Sequence, residues 1–500
     1  MIEGSFAVGT TFLIYLTVML GIGLWSYLRT QNLSDYILGG RNLGPFPSAL
    51  SAGASDMSGW LLLGLPGYAY AAGYEAIWIA AGLMAGTWLN WLIVAGRLRK
   101  YSELASNSLT IPEFLEHRFE DTSHVLRVIA AFFILLFFLF YTSSGLVAGG
   151  KLFETVFALD YRIAVFAGAL AIVSYTLFGG FLAVSWTDVV QGLLMAAALI
   201  AVPVIAIAAD GGWVATKEAM HASNPALLDG WTSSAGEPLG VIAILSLVGW
   251  GLGYFGQPHI LARFKAISSA NDIPTARRIA VTWTALTLAG SVACGFAAIA
   301  FFDVPLEDSE KAFMLLINAL FHPVVAGILL AAILAAVMST ADSQLLVASS
   351  ALAEDFYKAL FRKHATQKEL LNVGRGAVVA IATVATLIAL DPQSKVLGMV
   401  SYAWAGFGAA FGPVLILALF WRRMNRNGAL AGVITGGITV VVWKQLSGGV
   451  FELYEIVPGF VLALIAIVTV SLATGEPSEH TRKLFDEAAG STPNDANTRQ

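Results

Sequence analysis

Ser51-Ala-Gly-Ala-Ser-Asp-Met-Ser-Gly-Trp60 sits in the middle of an apolar stretch, about residues 47–70, long enough to cross a bilayer as a helix. Six of these ten residues are Gly, Ser or Asp, types that favour backbone breaks over continuous helix. A helix broken at membrane depth exposes carbonyl oxygens that can hold a hard cation such as Na⁺. It also exposes an N-terminal half-helix end that attracts a carboxylate. Close packing of small residues accounts for Gly53 and Ala54 but not for Asp56.

A second interrupted stretch, Gly249-Trp-Gly-Leu-Gly-Tyr-Phe-Gly-Gln-Pro258, lies in another apolar segment. Trp250, Tyr254 and Pro258 fall at i, i+4 and i+8 and share a face if the helix persists. The glycines and Pro258 favour a break instead. Two interrupted helices, each opening a five-span half, are the mark of a transporter built from inverted repeats. The aromatic and proline surfaces suit a small apolar ring better than a polyhydroxylated sugar. An aromatic belt at the membrane interface is the competing explanation for Trp250 and Tyr254.

The rest of the chain supports a membrane setting. It has 500 residues, 57% hydrophobic and 12% charged, where a soluble domain carries about 25% charge. Spans are predicted at about 6–28, 47–70, 76–96, 127–150, 162–180, 187–209, 240–258, 278–302, 324–353, 373–391, 397–421, 428–446 and 452–473. These thirteen helices give an all-α polytopic fold, residues 1–473. The halves are residues 45–209 and 240–421, and a polar tail, 474–500, is expected to be disordered in the cytoplasm. The first span lacks a basic region ahead of it and reads as a retained helix. With the N-terminus outside and the C-terminus inside, the 28 Lys and Arg divide 22 inside and 6 outside. The inner set includes Arg263 and Lys265. Arg41 and Arg375, near inner helix ends, are expected to snorkel to lipid phosphates.

A net charge of −5 argues against a nucleic-acid partner, and one cysteine, Cys294, allows no internal disulfide. No P-loop, zinc motif or nucleophile elbow appears, so neither an enzyme nor a cofactor is expected. Ala336, Ser339, Thr340 and Ser343 form one helical stripe whose hydroxyls and carbonyl can complete a Na⁺ shell begun by the second span. Back-bonding of Ser and Thr to the preceding turn is the alternative, but it leaves Asp342 unexplained. Asp188 serves equally well as a helix cap or as an ion-handling group.

These stretches resemble the solute:sodium symporter family, most closely its bacterial sodium/proline symporters. The resemblance runs through Asp35–Arg41, Ser51–Trp60, Gly179–Gln191, Trp250–Arg263, Leu334–Thr340 and Tyr402–Pro413, in order, from about residue 35 to 460. It implies a ten-helix, 5+5 inverted-repeat core like that of the bacterial leucine transporter, with one helix before it and two after, in a bacterial cytoplasmic membrane. It implies Na⁺ as coupling ion, with Li⁺ as a candidate substitute, L-proline as solute, and lipid as surroundings. Carried over by residue, Na⁺ is held by the carbonyls of Ala54, Met57 and Ala336 and the hydroxyls of Ser339 and Thr340. Asp56 orders that site. Ser58, Tyr141, Trp250, Tyr254 and Pro258 match proline-recognition positions, and Asp188 matches a residue tied to ion coupling or a second sodium site. Asp342 departs from the pattern, where a small or hydroxylated residue is expected, and leaves a second cation site or proton involvement open. A symporter for a sugar, sialic acid or carboxylate, and a solute sensor, are the rival functions. The short tail weighs against the sensor.

Overall fold

A computed structural model describes residues 5–27, 37–176 and 180–490, and nearly all of them are helical or in turns between helices. Asp35 and Gly179, which open two of the quoted stretches, and the last ten residues of the tail lie outside the described residues.

The first helix, α1, is Ser5–Tyr27. The second span is split: α2 is Pro45–Asp56, the backbone breaks at Met57 (φ −84°, ψ 78°), and helix resumes through Trp60–Gly64 into α3, Leu65–Ala72. There follow α4 (Ala76–Leu89), α5 (Ala95–Leu104), the short α6 (Ile111–Arg118), α7 (Val125–Phe157), α8 (Tyr161–Thr176), α9 (Phe181–Ala209) and α10 (Trp213–Ser223). The second split span has α11 (Val241–Val248), a tight 3₁₀ stretch Gly249–Gly256, extended Gln257, and α12 (Pro258–Ala266), bent by 46°. The remainder is α13 (Ile273–Phe301), α14 (Ala312–Leu320), α15 (Pro323–Ser350), α16 (Gln367–Ile388), α17 (Val396–Phe420), α18 (Arg426–Trp443), α19 (Ile456–Ala473) and α20 (Glu479–Ala489).

Proline starts α2, α12 and α15, where its missing N–H costs nothing and its fixed φ suits the first turn. Among the described residues nine helical runs are long and apolar enough to cross a membrane, or ten with the bent pair counted as one. One of them, Trp60–Leu104, runs through Gly73, whose φ of +62° ends α3 before α4 begins. A Cβ there would also sit 2.2 Å from the carbonyl of Leu227. α8 contributes a shorter apolar helix, Tyr161–Val173.

α15 and α17 are the most enclosed spans, each with 83% of its most apolar window buried, whereas α1 has 28% and α19 33%. Of these two central helices α15 carries buried polar residues, among them Ser339, Thr340, Asp342 and Ser343, whereas those of α17 are apolar, and the first and last spans lie at the periphery. α2 and α12 pack together, and Leu43 and Ser268 exchange backbone hydrogen bonds with the strand-like segment around Ala266 and Leu43 respectively.

Two expectations need correction. Residues 479–489 of the tail are not disordered: Leu484, Phe485 and Ala488 are buried, Phe485 meets Tyr101 of α5, and Arg422 grips the Asp486 carboxylate with two 2.8 Å bonds. An amphipathic helix escapes the compositional argument because its few apolar residues fall on one face. Arg41 does not snorkel: it is buried, with bonds to the carbonyls of Lys265 (2.8 Å) and Ser108 (3.0 Å) and to Ser102. Arg263 and Lys265, counted among the inner loop and helix-end charges, are buried in α12.

Candidate functional site

The end of α2 is the centre of the site. The last carbonyls of a helix have no partner within it and carry its negative end, so a helix that stops inside a protein offers them to other groups. The Gly53 carbonyl is taken by the N–H of Met57 at 2.9 Å. That of Ala54 accepts hydrogen bonds from Ser339 (2.8 Å) and Thr340 (3.4 Å) of α15. Ser339 Oγ also reaches the Ala336 carbonyl at 3.1 Å. Thus Ala54, Ala336, Ser339 and Thr340 are together, all buried, and Met57 lies at the adjoining break.

The Asp56 carbonyl points to a different set of partners. It accepts from Tyr141 Oη (3.0 Å), Trp60 Nε1 (3.2 Å) and the N–H of Ser58 (3.0 Å). The Asp56 carboxylate accepts from Tyr254 Oη at 2.8 Å, and its Oδ1 is buried with no donor among the described residues. Ser58, Tyr141 and Tyr254 therefore gather round one break. Trp250 joins them through Trp60, their rings 6.5 Å apart. Gly59 permits this crowding, since a Cβ on it would lie 2.5 Å from Ala148 Cβ.

Pro258 does not share a cavity with Trp250. Trp250 lines an open cavity of about 420 Å³ with Tyr68, Tyr454, Glu310 and Lys395. Pro258 instead lines a cavity of about 20 Å³ with Thr110, Lys265 and Asp355. The backbone break at Gln257 separates them and defeats the shared face that continuous helical spacing would give.

The residues beyond the wide cavity are held by ion pairs. Lys151 reaches Asp308 (2.8 Å) and Glu310 (2.7 Å), and Lys395 reaches Asp308 at 2.8 Å. Glu310 also accepts the N–H groups of Val396 and Leu397. Burial opposes ionisation of Asp308, but hydrogen bonds and charge from the two lysines outweigh it and hold its carboxyl down to about 2. At the narrow cavity Arg127 meets Asp355 at 2.6 Å, and Lys265 Nζ donates to the carbonyls of Leu109 and Thr110.

Asp188 is not a cap: α9 begins at Phe181, and Asp188 lies fully buried two turns in. Its Oδ2 accepts from Ser51 (2.6 Å) and Arg263 (3.2 Å). Asp342 is buried in α15, and both it and Asp188 lie within electrostatic range of the Tyr15 hydroxyl. Sequence reasoning missed the residues that support the break: Asn90, whose Nδ2 donates to the Tyr254 carbonyl at 2.9 Å, and Trp404, whose Nε1 donates to the Trp250 carbonyl at 2.7 Å. An Asn within an apolar run was the available signal for the first. Trp404 stood in a quoted stretch without a role.

With this geometry in view, the relatives decide the family. The model of the sodium:solute symporter family matches residues 36–436. The chain belongs to the sodium:solute symporter family. The symporter is 54% identical over 488 residues to the sodium/proline symporter of Escherichia coli strain K12, covering 96% of this chain and 95% of that one. It is 50% identical over 472 residues to the high-affinity proline transporter PutP of Bacillus subtilis strain 168, covering 94% and 98%. In fold, it is similar to a substrate-bound, outward-open Na⁺-coupled sialic acid symporter (TM-score 0.78, 20% identity, covering 95% of this chain and 99% of that one). A nucleobase-cation-symport-1 family transporter in a closed conformation is also similar (TM-score 0.56, 15% identity, 91% and 98% covered). The helical fold of the symporter is thus that of known cation-coupled carriers.

Proposed function

We propose that the protein takes up L-proline by symport with Na⁺, by alternating access, across a bacterial cytoplasmic membrane. The observation that carries this reading is one helix end serving two sets of partners. The Ala54 carbonyl faces the hydroxyls of Ser339 and Thr340, and the Asp56 carbonyl faces Tyr141. Near-full-length identity to proteins named as proline carriers supports the choice of solute.

In this reading Na⁺ is held by the carbonyls of Ala54, Met57 and Ala336 and by Ser339 and Thr340, with Asp56 ordering the turn. Proline lies against Ser58, Tyr141, Trp250 and Tyr254, and Pro258 lines its way inward. Thirteen crossings run N-out and C-in, with repeats 45–209 and 240–421 and residues 474–490 in the cytoplasm. The wide cavity above Trp250 is then the outer vestibule, and the narrow one beside Pro258 is the closed inner path. Inward movement of one charge at −100 mV contributes about 2.3 kcal/mol, enough to concentrate solute more than tenfold.

The test is radiolabelled proline uptake into proteoliposomes with imposed Na⁺, Li⁺ or H⁺ gradients. Accumulation driven by Na⁺, and more weakly by Li⁺, is expected. Equal uptake with and without a sodium gradient would overturn the proposal.

A further inference from the structure

Two arginines beneath the tail helix α20 carry charge that no carboxylate answers. Arg97 lies toward the end of the apolar run Trp60–Leu104, and α17, another apolar span, ends beside it at Phe420. Arg118 closes α6, is fully buried, and makes one hydrogen bond, from Nε to the Ala418 carbonyl at 3.3 Å. Among the described residues Arg118 Nη1 and Nη2, Arg97 Nε and the Tyr101 hydroxyl are buried without a hydrogen-bond partner. The carboxylates of the surrounding elements are engaged elsewhere: Glu103 with Arg99, Glu476 with Arg482, and Glu120 with the hydroxyls of Ser478 and Thr481.

An aromatic ring fills the space instead. The Phe485 ring of α20 lies 5.1 Å from the Arg97 guanidinium and 5.4 Å from that of Arg118. Phe420 on Arg97, and Tyr101 and Phe119 on Arg118, complete the cage at 4.7 to 5.2 Å. A ring face attracts a guanidinium but leaves its in-plane N–H groups without acceptors, and unmet buried donors are costly. Beside this cage α20 offers the Asp486 carboxylate to Arg422 through two 2.8 Å bonds, the two-pronged geometry that a phosphate would also use. The tail thus covers a donor-rich cationic surface, with a tethered carboxylate for one arginine and a ring for the other two.

We propose that Arg97, Arg118 and Tyr101, with Arg422 at the rim, form a binding site for a phosphate group, and that α20 is its displaceable cover. A phosphate supplies the oxygen acceptors that Phe485 lacks, and guanidinium groups hold it bidentately. At the ends of two apolar spans the nearest source is the headgroup of an anionic phospholipid; a free phosphate carries the same chemistry. Occupancy lifts α20 from α5 and releases Glu120 from Ser478 and Thr481. The inference rests on no choice of solute or coupling ion.

The test uses the full chain in nanodiscs. Trypsin cleavage at Arg482 and Lys483 reads release of α20, because a docked helix resists it. Cleavage is expected to be slow in phosphatidylcholine and to rise as phosphatidylglycerol is added, while a separate arm adds inorganic phosphate to phosphatidylcholine discs. A rise with phosphatidylglycerol assigns the site to lipid, a rise only with inorganic phosphate assigns it to the soluble ion, and a rise with neither overturns the proposal. The second measurement is the affinity of the purified chain, in neutral detergent, for whichever probe released α20. Phe485→Ala, which uncovers the site, should bind that probe about tenfold more tightly, the worth of two guanidinium–ring contacts. Asp486→Asn, which frees Arg422, should act in the same direction. In the uncovered Phe485→Ala protein, adding Arg97→Gln should weaken binding about tenfold, as for loss of one charge-assisted bond. Affinity unmoved by Phe485→Ala and Asp486→Asn, or unmoved by Arg97→Gln in the uncovered protein, would show that the arginines only pack the ring, and would overturn the proposal.

Discussion

Replacing Thr340 by valine removes one hydroxyl and keeps the branched shape. Thr340 is 2% exposed, and its Oγ1 lies 3.4 Å from the Ala54 carbonyl, the long member of a pair whose short member is Ser339 at 2.8 Å. A hydroxyl oxygen directed at a cation is a charge-assisted contact, worth about 1.5–3 kcal/mol. Its loss should raise the half-saturating Na⁺ concentration about 10- to 150-fold. Proline affinity measured at saturating Na⁺ should change by less than about threefold, because Thr340 touches none of the groups around Tyr141. The assay is initial-rate proline uptake in proteoliposomes over a Na⁺ series, repeated over a proline series at the highest Na⁺. Equal losses in both constants would refute the assignment and point to general loosening of α15. An unchanged sodium constant would refute it more directly, by removing the hydroxyl from the ion shell.

Three further outcomes follow from the same geometry. Trp250→Ala should weaken proline affinity by about 2 kcal/mol or more, roughly thirtyfold, as for a buried aromatic anchor, and leave the sodium constant at saturating proline nearly unchanged; an unaltered proline affinity removes Trp250 from the pocket. Gly253→Ala should lower the thermal midpoint in detergent, because the new Cβ would lie 1.9 Å from Trp404 Nε1, which is itself fixed on the Trp250 carbonyl. A midpoint equal to that of the unaltered protein would show that the ring can move aside. The depressed pKa of Asp308, about 2, means that its contribution to stability is complete above the unfolded value of about 3.9 and disappears as pH falls through about 2. The stability gap between the unaltered protein and Asp308→Asn should therefore be constant from pH 7 to about 4.5 and close below it, and a gap already shrinking at pH 6 would contradict the lysine pairing.

Both helix breaks were legible in the sequence because breakage is a local property. Gly, Ser and Asp at 51–60, and Gly with Pro258 at 249–258, alter backbone preference wherever they stand. The hydroxyl stripe of α15 was legible for a similar reason, since helical periodicity alone puts Ser339 and Thr340 on one side. What stayed hidden depends on which helices meet. Arg263 reads as a loop charge because it follows a span, and only the bend at Gln257 turns it into the protein beside Asp188. Arg41 is hidden in the same way, its partners Ser108 and Lys265 lying 67 and 224 residues away. The tail helix was lost to composition, because its low hydrophobicity hides a well-ordered apolar face.

In the proposed site, coupling rests on two carbonyls of one helix end. Successive residues in an α-helix are turned by about 100°, so the carbonyls of Ala54 and Asp56, both directed toward the C-terminal end, leave the terminal turn from nearly opposite sides of the helix axis. One side is read by α15 through Ser339 and Thr340, the other by Tyr141 of α7, while Tyr254 holds the Asp56 side chain. A cation fixing the first carbonyl fixes the turn, and with it the second carbonyl and the tyrosine that rests on it. A solute ordering Tyr141 and Tyr254 fixes the same turn from the other side. Each ligand must then raise the affinity of the other by the same factor. Two rigid pockets placed side by side would give no such factor; in the proposed site a single helix end shared between them supplies it.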